Sequence, residues 1–432
     1  MNTDFDLAIV GGGPNGAIAA ALLARHSGIA PARIALIAPE LAPDALAGAP
    51  RDAHRAHDRA GLPPAPRVAA ISRASEMVLV NAQAWLHLPQ EQLCAYQRMR
   101  VWHESVPSDG PEVLVFSAAE VAEPNLGYIV ENRALSAAGL TSFADQGGQV
   151  VGVRIRALQV DAHAVRLHTG EAEISARLVI GADGAQSQVR ELLNIPLRMH
   201  DYRQSAIVAN IASARSHQHT AWQRFLGSGP LALLPLHDGG CSIVWSAAQT
   251  MAEELMQLPA DEFARRLDLA SDGVLGHARL LSERVMVPLR RATAATMIGS
   301  RAALVGDAAH VVHPLAGQGV NLGFLDAAVL CEVVAAGIKE REDPGAARLL
   351  TRYEQLRITH DTLMSWSMSA FNELFTRGGG PGGWLAARML GLAGATGIAR
   401  RSFARRALGL SGEVPSLARR ALVTPITRAA RC

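Results

Sequence analysis

Three glycines near the amino terminus have the spacing of a phosphate-binding turn. Gly11, Gly13 and Gly16 form a Gly-x-Gly-x-x-Gly pattern directly after the apolar run of residues 5–10. In this pattern the first glycine permits a tight turn, and the second admits backbone N–H groups close to a pyrophosphate. The third lets a helix pack closely on a strand. Because the motif lies between a strand-like and a helix-like segment, it predicts a dinucleotide site.

The segments around this motif read as one β-α-β unit. Residues 5–10 and 34–37 are short apolar runs typical of buried parallel strands, and residues 17–25 are an alanine-rich helical stretch. The end of the second strand normally presents an acid to the adenosine ribose, but this position holds Ala38. Glu40 either replaces that acid from two residues later or is an ordinary surface carboxylate.

Two further carboxylates follow buried strands. Asp183 and Gly184 come after the apolar run 178–180, and Asp307 comes after the run 302–305. Ligands of open α/β sheets bind at the carboxyl ends of strands, where Asp307 can bind a polyol hydroxyl. The alternative for Asp183 is a strand that ends in a helix N-cap. The glycines after Pro314 let backbone amides approach a flat ring, and a long helix is predicted to begin near Gly319.

The rest of the chain divides by pattern. Residues 42–66 read as a surface loop, 149–167 as alternating strands, and about 195–290 as a second domain that contains a sheet. From about residue 345 onward the pattern is helical. We therefore place a discontinuous nucleotide-binding domain at 1–85, 120–192 and 286–345, a substrate domain at 86–119 and 193–285, and a helical region with a basic tail at 346–432.

Composition narrows the class of protein. The 432 residues are 49% hydrophobic and 19% charged, which excludes a disordered chain, and the net charge of +2 disfavours a nucleic-acid binder. The four cysteines are scattered, so no zinc site is expected. We expect neither a membrane span nor a signal peptide. Residues 400–432 carry eight arginines and one glutamate, a net charge of +7 against −5 for the remainder.

Taken together, the three motifs resemble the class A flavin-dependent aromatic monooxygenases, which share the hydroxybenzoate-hydroxylase fold. Residues 313–326 match the signature of the ubiquinone-biosynthesis hydroxylase family at each signature position. Residues 127–132, 229–236 and 242–245 are also similar to that family. Among its branches the sequence is most similar to the 2-polyprenyl-6-methoxyphenol hydroxylases.

The resemblance implies an α/β fold with a Rossmann-like FAD-binding domain, an inserted sheet-containing substrate domain and a helical carboxyl-terminal region. It also implies roles for individual residues. The FAD pyrophosphate is expected at Gly11, Gly13 and Gly16. Arg67 is expected near the cofactor's ribityl and phosphate region, and Asp307 is expected to hold the ribityl chain. Asp183 and Gly184 are expected to contact FAD, with the reductant as a further partner of Asp183. The flavin ring is expected at Pro314, Gly317, Gln318, Gly319 and Asn321.

The activity implied by the resemblance is hydroxylation of the aromatic ring of a polyprenylated phenol in ubiquinone biosynthesis. NADPH or NADH supplies the electrons and O2 the oxygen, through a C4a-hydroperoxyflavin. No side-chain acid or base is assigned, and His310 and His313 are interpreted as structural histidines near the ring. The alternatives are a flavin hydroxylase of a soluble aromatic compound and a non-catalytic flavoprotein subunit of a biosynthetic complex.

A prenylated substrate calls for apolar contacts and access to lipid. Phe225, Leu233, Pro235 and Trp245 are candidates to line the substrate site, with ordinary core packing as the alternative. Apolar residues over 384–392 next to the basic tail resemble an interfacial helix. We therefore expect a cytoplasmic protein, peripheral at the inner membrane. A docking surface for other ubiquinone-biosynthesis proteins and a solvated helical face are the alternatives.

Overall fold

The computed structural model describes residues 3–38, 67–170, 172–312, 319–357, 405, 408 and 414–419. The strands are β1 Phe5–Val10, β2 Ile34–Ile37, β3 Val68–Ile71, β4 Cys94–Tyr96, β5 Arg98–His103, β6 Leu114–Ser117, β7 Gly127–Glu131, β8 Gln149–Val151, β9 Ile155–Val160, β10 Val165–Thr169, β11 Glu173–Gly181, β12 Leu197–Ser213, β13 Thr220–Leu226, β14 Gly229–Pro235, β15 Cys241–Ala248, β16 Ala278–Leu280, β17 Val285–Ala294, β18 Ile298–Gly299, β19 Ala302–Leu304 and β20 His310–Val311. The helices are α1 Pro14–His26, α2 Arg73–Asn81, α3 Asn132–Asp145, α4 Gln188–Leu192, α5 Gln249–Gln257, α6 Ala260–Ala270 and α7 Gly319–Lys339. Residues 347–357 are also helical.

The first sheet has eight strands, and five of them are parallel. Along the sheet the order is β18-β19-β11-β1-β2-β8, with β10 on β11 and β9 on β10. β1 pairs in parallel with both β11 and β2, and the parallel pairing continues to β19 on one side and β8 on the other. The predicted β-α-β unit of β1, α1 and β2 is confirmed. Because the five strands are parallel, their carboxyl ends meet at one edge of the sheet.

Helix α1 lies between this sheet and two other helices. It packs against α3 and α7, and its residues from Gly16 to Ala24 are all buried. Within the described ranges, α7 is the one helix long and apolar enough to cross a membrane, but 78% of its most apolar window is buried inside the protein. We therefore assign α7 to the core.

A second sheet of nine strands forms the rest of the described molecule, together with a small sheet of β3, β7 and β4. The nine-stranded order is β20-β17-β12-β15-β14-β13-β5-β6, with β16 on β12. One face packs on α5 and α6, where Trp245 and Phe263 lie with ring centroids 5.9 Å apart. This sheet is the predicted second, sheet-containing unit.

The predicted domain boundary at residue 286 is wrong. Strand β17 pairs antiparallel with β12 along nearly its whole length, from Val285 to Ala294, so it belongs to the nine-stranded sheet. The chain re-enters the first sheet only with β18, and β20 then returns to pair with β17. No glycine-rich or proline-rich linker marks these crossings, so sequence patterning could not locate them. The loop at 42–66, Glu40 and nearly all of the basic tail lie outside the described residues.

Candidate functional site

The carboxyl ends of the parallel strands border a cavity of about 700 Å³. A volume of this size is typical of small-molecule and cofactor sites, which span roughly 300–1,000 Å³. The predicted site residues that line the cavity are Gly11, Gly13, Arg67, Asp183, Gly184, Asp307 and Gly319. The fold thus brings together residues that are as far apart in the sequence as Gly11 and Gly319.

The three glycines of the first motif have different structural roles. A Cβ on Gly11, which has a φ of +113°, would lie 2.4 Å from the Ala182 carbonyl oxygen, and a Cβ on Gly16 would lie 1.9 Å from that of Gly11. These two glycines permit the turn and the close packing. A Cβ on Gly13 would meet no atom of the described residues within 4 Å, because Gly13 faces the cavity.

Gly13 is also the N-cap of α1. Pro14 is the first helical residue, no side chain caps the helix, and its first turn has no acidic residue. In the part of the chain that the structure describes, the backbone N–H groups of the first turn therefore have no side-chain partner at the cavity wall. A helix N-terminus in this state is suited to binding a phosphate.

Asp183 lines the cavity, and its two carboxylate oxygens have different surroundings. Its Oδ2 accepts a hydrogen bond of 3.0 Å from the Val189 N–H, and so holds the start of α4. Its Oδ1 is buried with no hydrogen-bond partner among the described residues. The helix-capping alternative and the ligand-binding interpretation of Asp183 are therefore compatible.

The Asp183 turn is tied directly to the Asp307 turn. The guanidinium of Arg190 donates to the Ala308 carbonyl at 3.0 Å and to the Ala185 carbonyl at 3.1 Å. Arg190 is 4% exposed; its hydrogen bond to Ala308 is buried and the one to Ala185 is partly buried. The second and third motifs are therefore held at a fixed separation.

Asp307 lies on the cavity wall with its side chain open to the cavity. Its position deep in the fold raises the pKa of Asp307 above the usual range by desolvation, and the proximity of Asp326 adds to the rise. Nearby His310 and Arg67 oppose it. Arg67 also lines the cavity, so the carboxylate and this cation share one wall.

Asn15 is a site residue that sequence analysis missed. It lines the cavity from the first turn of α1. A Cβ on Gly306 would lie 2.2 Å from Asn15 Nδ2, and a Cβ on Gly323 would lie 2.4 Å from Asn15 Cγ. The side chain is therefore wedged between the Asp307 turn and α7. The available signal was Gly323, a glycine inside a predicted helix, where no turn calls for one.

A buried ion cluster supports the Asp307 turn from behind. Asp326, which is fully buried, accepts hydrogen bonds from the Gly306 N–H at 2.8 Å and from His310 Nε2 at 2.7 Å. Its other oxygen accepts from Arg357 Nε at 2.6 Å. Burial alone would raise the pKa of Asp326, but His310 and Arg357 together lower this pKa to about 2. His310 is therefore engaged in the structure, in agreement with its predicted structural role, although its partner is a carboxylate.

Asn321 does not line the cavity, contrary to expectation. Its Oδ1 accepts from the Ser72 N–H at 2.9 Å, and its Nδ2 donates to the Ala70 carbonyl at 2.8 Å. The amide thus fastens α7 to the end of β3. His313, Pro314, Gly317 and Gln318 lie outside the described residues.

The four predicted substrate residues are core residues in the structure, and none of them lines the cavity. Leu233 and Trp245 pack in the cluster under α5 and α6, and Pro235 shares their strand face. Phe225 is on the opposite face, in a cluster with Tyr96. These strands are buried on both faces, so their sequences show no alternation from which a substrate-facing side could be read. The nine-stranded sheet instead contributes β17, through residues 287–290, to the cavity wall.

The cavity wall has the character that a flavin dinucleotide requires. Three buried acceptors on it have no partner among the described residues, namely Asn15 Oδ1, Asn132 Oδ1 and Asp183 Oδ1. Buried polar atoms are almost always hydrogen-bonded in native proteins. A ligand that carries several hydroxyl groups, together with a pyrophosphate for the start of α1, would satisfy them.

Comparison with known proteins agrees with this geometry. Residues 128–364 match the protein family described as FAD binding domain. The chain is 32% identical to the 3-demethoxyubiquinol 3-hydroxylase of Escherichia coli, over 95% of this chain and 100% of that protein. It is 38% identical to the ubiquinone hydroxylase UbiL of Rhodospirillum rubrum, over 73% and 74%. It is 31% identical to the human ubiquinone biosynthesis monooxygenase COQ6, over 73% and 76%.

Solved structures share the fold. The p-nitrophenol 4-monooxygenase PnpA of Pseudomonas putida superposes with a TM-score of 0.70 at 17% identity, over 96% of this chain and 100% of that one. Pseudomonas aeruginosa PqsL, in complex with 2-aminobenzoylacetate, superposes with a TM-score of 0.67 at 20% identity, over 93% and 99%. The α/β fold with an inserted sheet-containing domain is therefore confirmed.

Proposed function

Since the chain belongs to the ubiquinone-biosynthesis family of FAD-dependent aromatic hydroxylases, we propose that it hydroxylates the ring of a polyprenylated phenol, with NADPH or NADH as the electron donor. The observation that carries this proposal is that the Gly11–Gly13 turn, Asp183, Asp307 and strand β17 line the same cavity. One wall is suited to a dinucleotide, and the other belongs to the sheet that the sequence assigns to substrate.

Each part of the cavity has a role in the proposal. The first turn of α1 binds the FAD pyrophosphate through its N–H groups. Asp307 accepts a hydrogen bond from a hydroxyl of the ribityl chain, with Arg67 beside it. Bound FAD supplies the electron transfer and the activation of O2. The protein residues orient the ring, exclude water and hold the phenol.

The substrate wall is apolar where the cavity meets the nine-stranded sheet. Val287, Pro288 and Leu289 of β17 line it, and Val311 and Val312 continue it. These residues replace Phe225, Leu233, Pro235 and Trp245 as the proposed contacts of an apolar substrate. Burying a prenylated phenol against them is favourable because roughly 25 cal/mol is gained per Å² of apolar surface removed from water.

A lipid substrate also implies access to a membrane. We retain the proposal that the protein is cytoplasmic and peripheral at the inner membrane, and that residues 400–432 contribute to its attachment through their net charge of +7. Docking to other ubiquinone-biosynthesis proteins is the alternative role of that segment.

The experiment is turnover by the purified flavoprotein with a short-chain prenylated phenol. We expect NAD(P)H consumption that depends on the phenol, and a product heavier by one oxygen atom. The matched control is the same phenol without its prenyl chain, which should be a poorer substrate. Equal turnover of the two phenols would support a hydroxylase of soluble aromatics, and absence of phenol-dependent consumption would support a non-catalytic subunit.

A further inference from the structure

The order of strands along the first sheet sets a direction for the bound dinucleotide. From one side to the other, the parallel strands are β19, β11, β1, β2 and β8. Asp307 follows β19, the phosphate-binding turn follows β1, and Arg154 follows β8. Neighbouring strands are about 4.8 Å apart, so Asp307 and Arg154 lie roughly 10 Å from the phosphate-binding turn on opposite sides.

FAD extends in two directions from its pyrophosphate. The flavin half is assigned to the side of Asp307 and Gly319, which line one end of the cavity. The adenosine half must then cross the end of β2 toward the end of β8. The residues of the cavity wall at the end of β8 are Val153, Arg154 and Ile155.

Up to Ala38, the last residue described after β2, the end of this strand offers the adenosine half no acid. Ala38 is fully buried, and its N–H donates to the Val151 carbonyl at 3.0 Å, so it is used to join β2 to β8. The ribose-binding acid of the dinucleotide fingerprint is absent at this position. Glu40 lies outside the described residues, so among those that the structure describes the group that holds the adenosine must come from elsewhere on this side of the cavity.

Arg154 has the properties of that group. Its side chain is exposed at the cavity, and it makes no hydrogen bond or ion pair with any residue that the structure describes. A guanidinium is planar and always charged. It can stack on an aromatic ring and donate hydrogen bonds to ring nitrogens or hydroxyl oxygens. Adenine and ribose present all of these partners.

We propose that Arg154 contacts the adenosine half of FAD and supplies the binding energy that the missing acid at Ala38 would otherwise provide. The residue is a cofactor-positioning residue, since it acts at the end of the cofactor remote from the flavin ring. The inference depends on FAD as the cofactor and is independent of which phenol is hydroxylated.

The test is cofactor binding by the Arg154→Ala variant. Protein freed of flavin, and shown to regain its visible spectrum with FAD, is titrated with FAD and with FMN by flavin fluorescence. ADP is measured as a competitor of FAD. We expect FAD and ADP to bind about tenfold more weakly, in line with the loss of one cationic contact to an aromatic ring, and FMN to bind as in the wild type.

Arg290→Ala is the matched control, because Arg290 also lines the cavity but belongs to β17 on the substrate sheet. In this variant the ratio of FAD to FMN affinity should not change. The proposal is overturned if Arg154→Ala binds FAD and ADP like the wild type, or if it weakens FAD and FMN by the same factor. Thermal unfolding of the flavin-free proteins shows whether either variant has altered the fold.

Discussion

Gly13 and Gly16 are three residues apart, but an added methyl group would meet opposite surroundings at the two positions. At Gly16 it would collide with the Gly11 carbonyl at 1.9 Å, whereas at Gly13 it would project into open cavity. Within one motif, packing excludes a side chain at Gly16, whereas at Gly13 the bound ligand excludes it. The two effects can be separated by substitution.

We predict that Gly16→Ala lowers the free energy of unfolding by about 3 kcal/mol, because backbone must shift to admit the methyl group. Gly13→Ala should fold normally and bind FAD about tenfold more weakly, because the methyl group occupies space needed by the pyrophosphate. Thermal unfolding and FAD titration of both variants check this. Normal folding of Gly16→Ala would contradict the packing argument.

Asp307→Ala tests the other side of the cavity. A hydrogen bond to a charged group contributes about 1.5–3 kcal/mol, so FAD affinity should fall roughly 10- to 100-fold. Asp201, an exposed carboxylate paired with Arg290, gives a control of the same residue type. Unchanged FAD affinity in Asp307→Ala, measured by fluorescence titration, would remove Asp307 from the proposed site.

At the level of residues, the sequence could predict those lining residues of the cavity that directly follow a strand. Asp183, Asp307 and the glycine turn were found because each directly follows a buried apolar run. Asn321 and Trp245 were misplaced, since the direction of a side chain depends on which neighbouring element it meets. Asn15 was missed because its function is to fill a space between two distant glycines.

At the level of elements, Asp326 joins α7, the Asp307 turn and the helix that contains Arg357 through hydrogen bonds that are all buried. Breaking such a cluster by removing one charge typically costs about 3–5 kcal/mol, because the remaining charges are left buried without a partner. The cluster therefore stabilises the position of Asp307 without contacting the cavity.

We predict that Asp326→Asn lowers the free energy of unfolding at neutral pH by about 3 kcal/mol or more. The pKa of Asp326 is about 2 in the folded protein, below the value of about 3.9 for an unfolded chain. Its stabilising contribution is therefore complete above about pH 4 and is lost as the pH falls toward about 2.

Denaturant unfolding of both proteins from about pH 7 down to about pH 3 measures this contribution. The difference between wild type and variant should narrow as the pH falls below about 4. Combining the change with Arg357→Met should restore part of the lost stability, since no unpaired guanidinium then remains buried. A constant difference across the pH range would show that Asp326 is not the titrating group.

Glycines of α7 provide a second prediction at this scale. Gly323→Ala should destabilise the protein by about 1–3 kcal/mol, because the methyl group would meet the Asn15 side chain at 2.4 Å. At Gly319 the nearest atom of a described residue to an added methyl is 4.0 Å away, so Gly319→Ala should be nearly neutral in thermal unfolding. Equal Tm values for the two variants would contradict the wedge role of Asn15.

Which elements pair could be predicted only in part. The β-α-β unit was readable because β1, α1 and β2 are adjacent in sequence and each has a clear pattern. The sheet to which β17 belongs could not be predicted, because its partner β12 is about eighty residues earlier. The sequence patterns of both strands are compatible with either sheet. Long-range pairing is decided by packing that local patterns do not encode.

At the level of the whole molecule, the charge of the chain is unevenly distributed, with the excess of arginine confined to residues 400–432. Leu408, Val414 and Ala418 of this segment pack in the core, so its charge is tested by substitution and not by truncation. We predict that replacing its arginines other than Arg419 by glutamine leaves FAD binding intact and releases the protein from anionic vesicles. Each arginine near an anionic surface contributes on the order of 1 kcal/mol. Co-sedimentation with anionic and with neutral vesicles measures the effect, and unchanged co-sedimentation with anionic vesicles would refute it.

The buried side chain of Arg190 also bears on how such a protein changes over evolution. Arg190 joins the Asp183 turn to the Asp307 turn by hydrogen bonds. The chain from β12 to β17 therefore begins and ends at two turns that are held at a fixed separation. The segment from β12 to β17 can change in length and in side chains while the nucleotide-binding site keeps its shape. Substrate specificity can therefore change while the FAD site is kept. Chimeric proteins that exchange the segment from β12 to β17 should still bind FAD and be yellow.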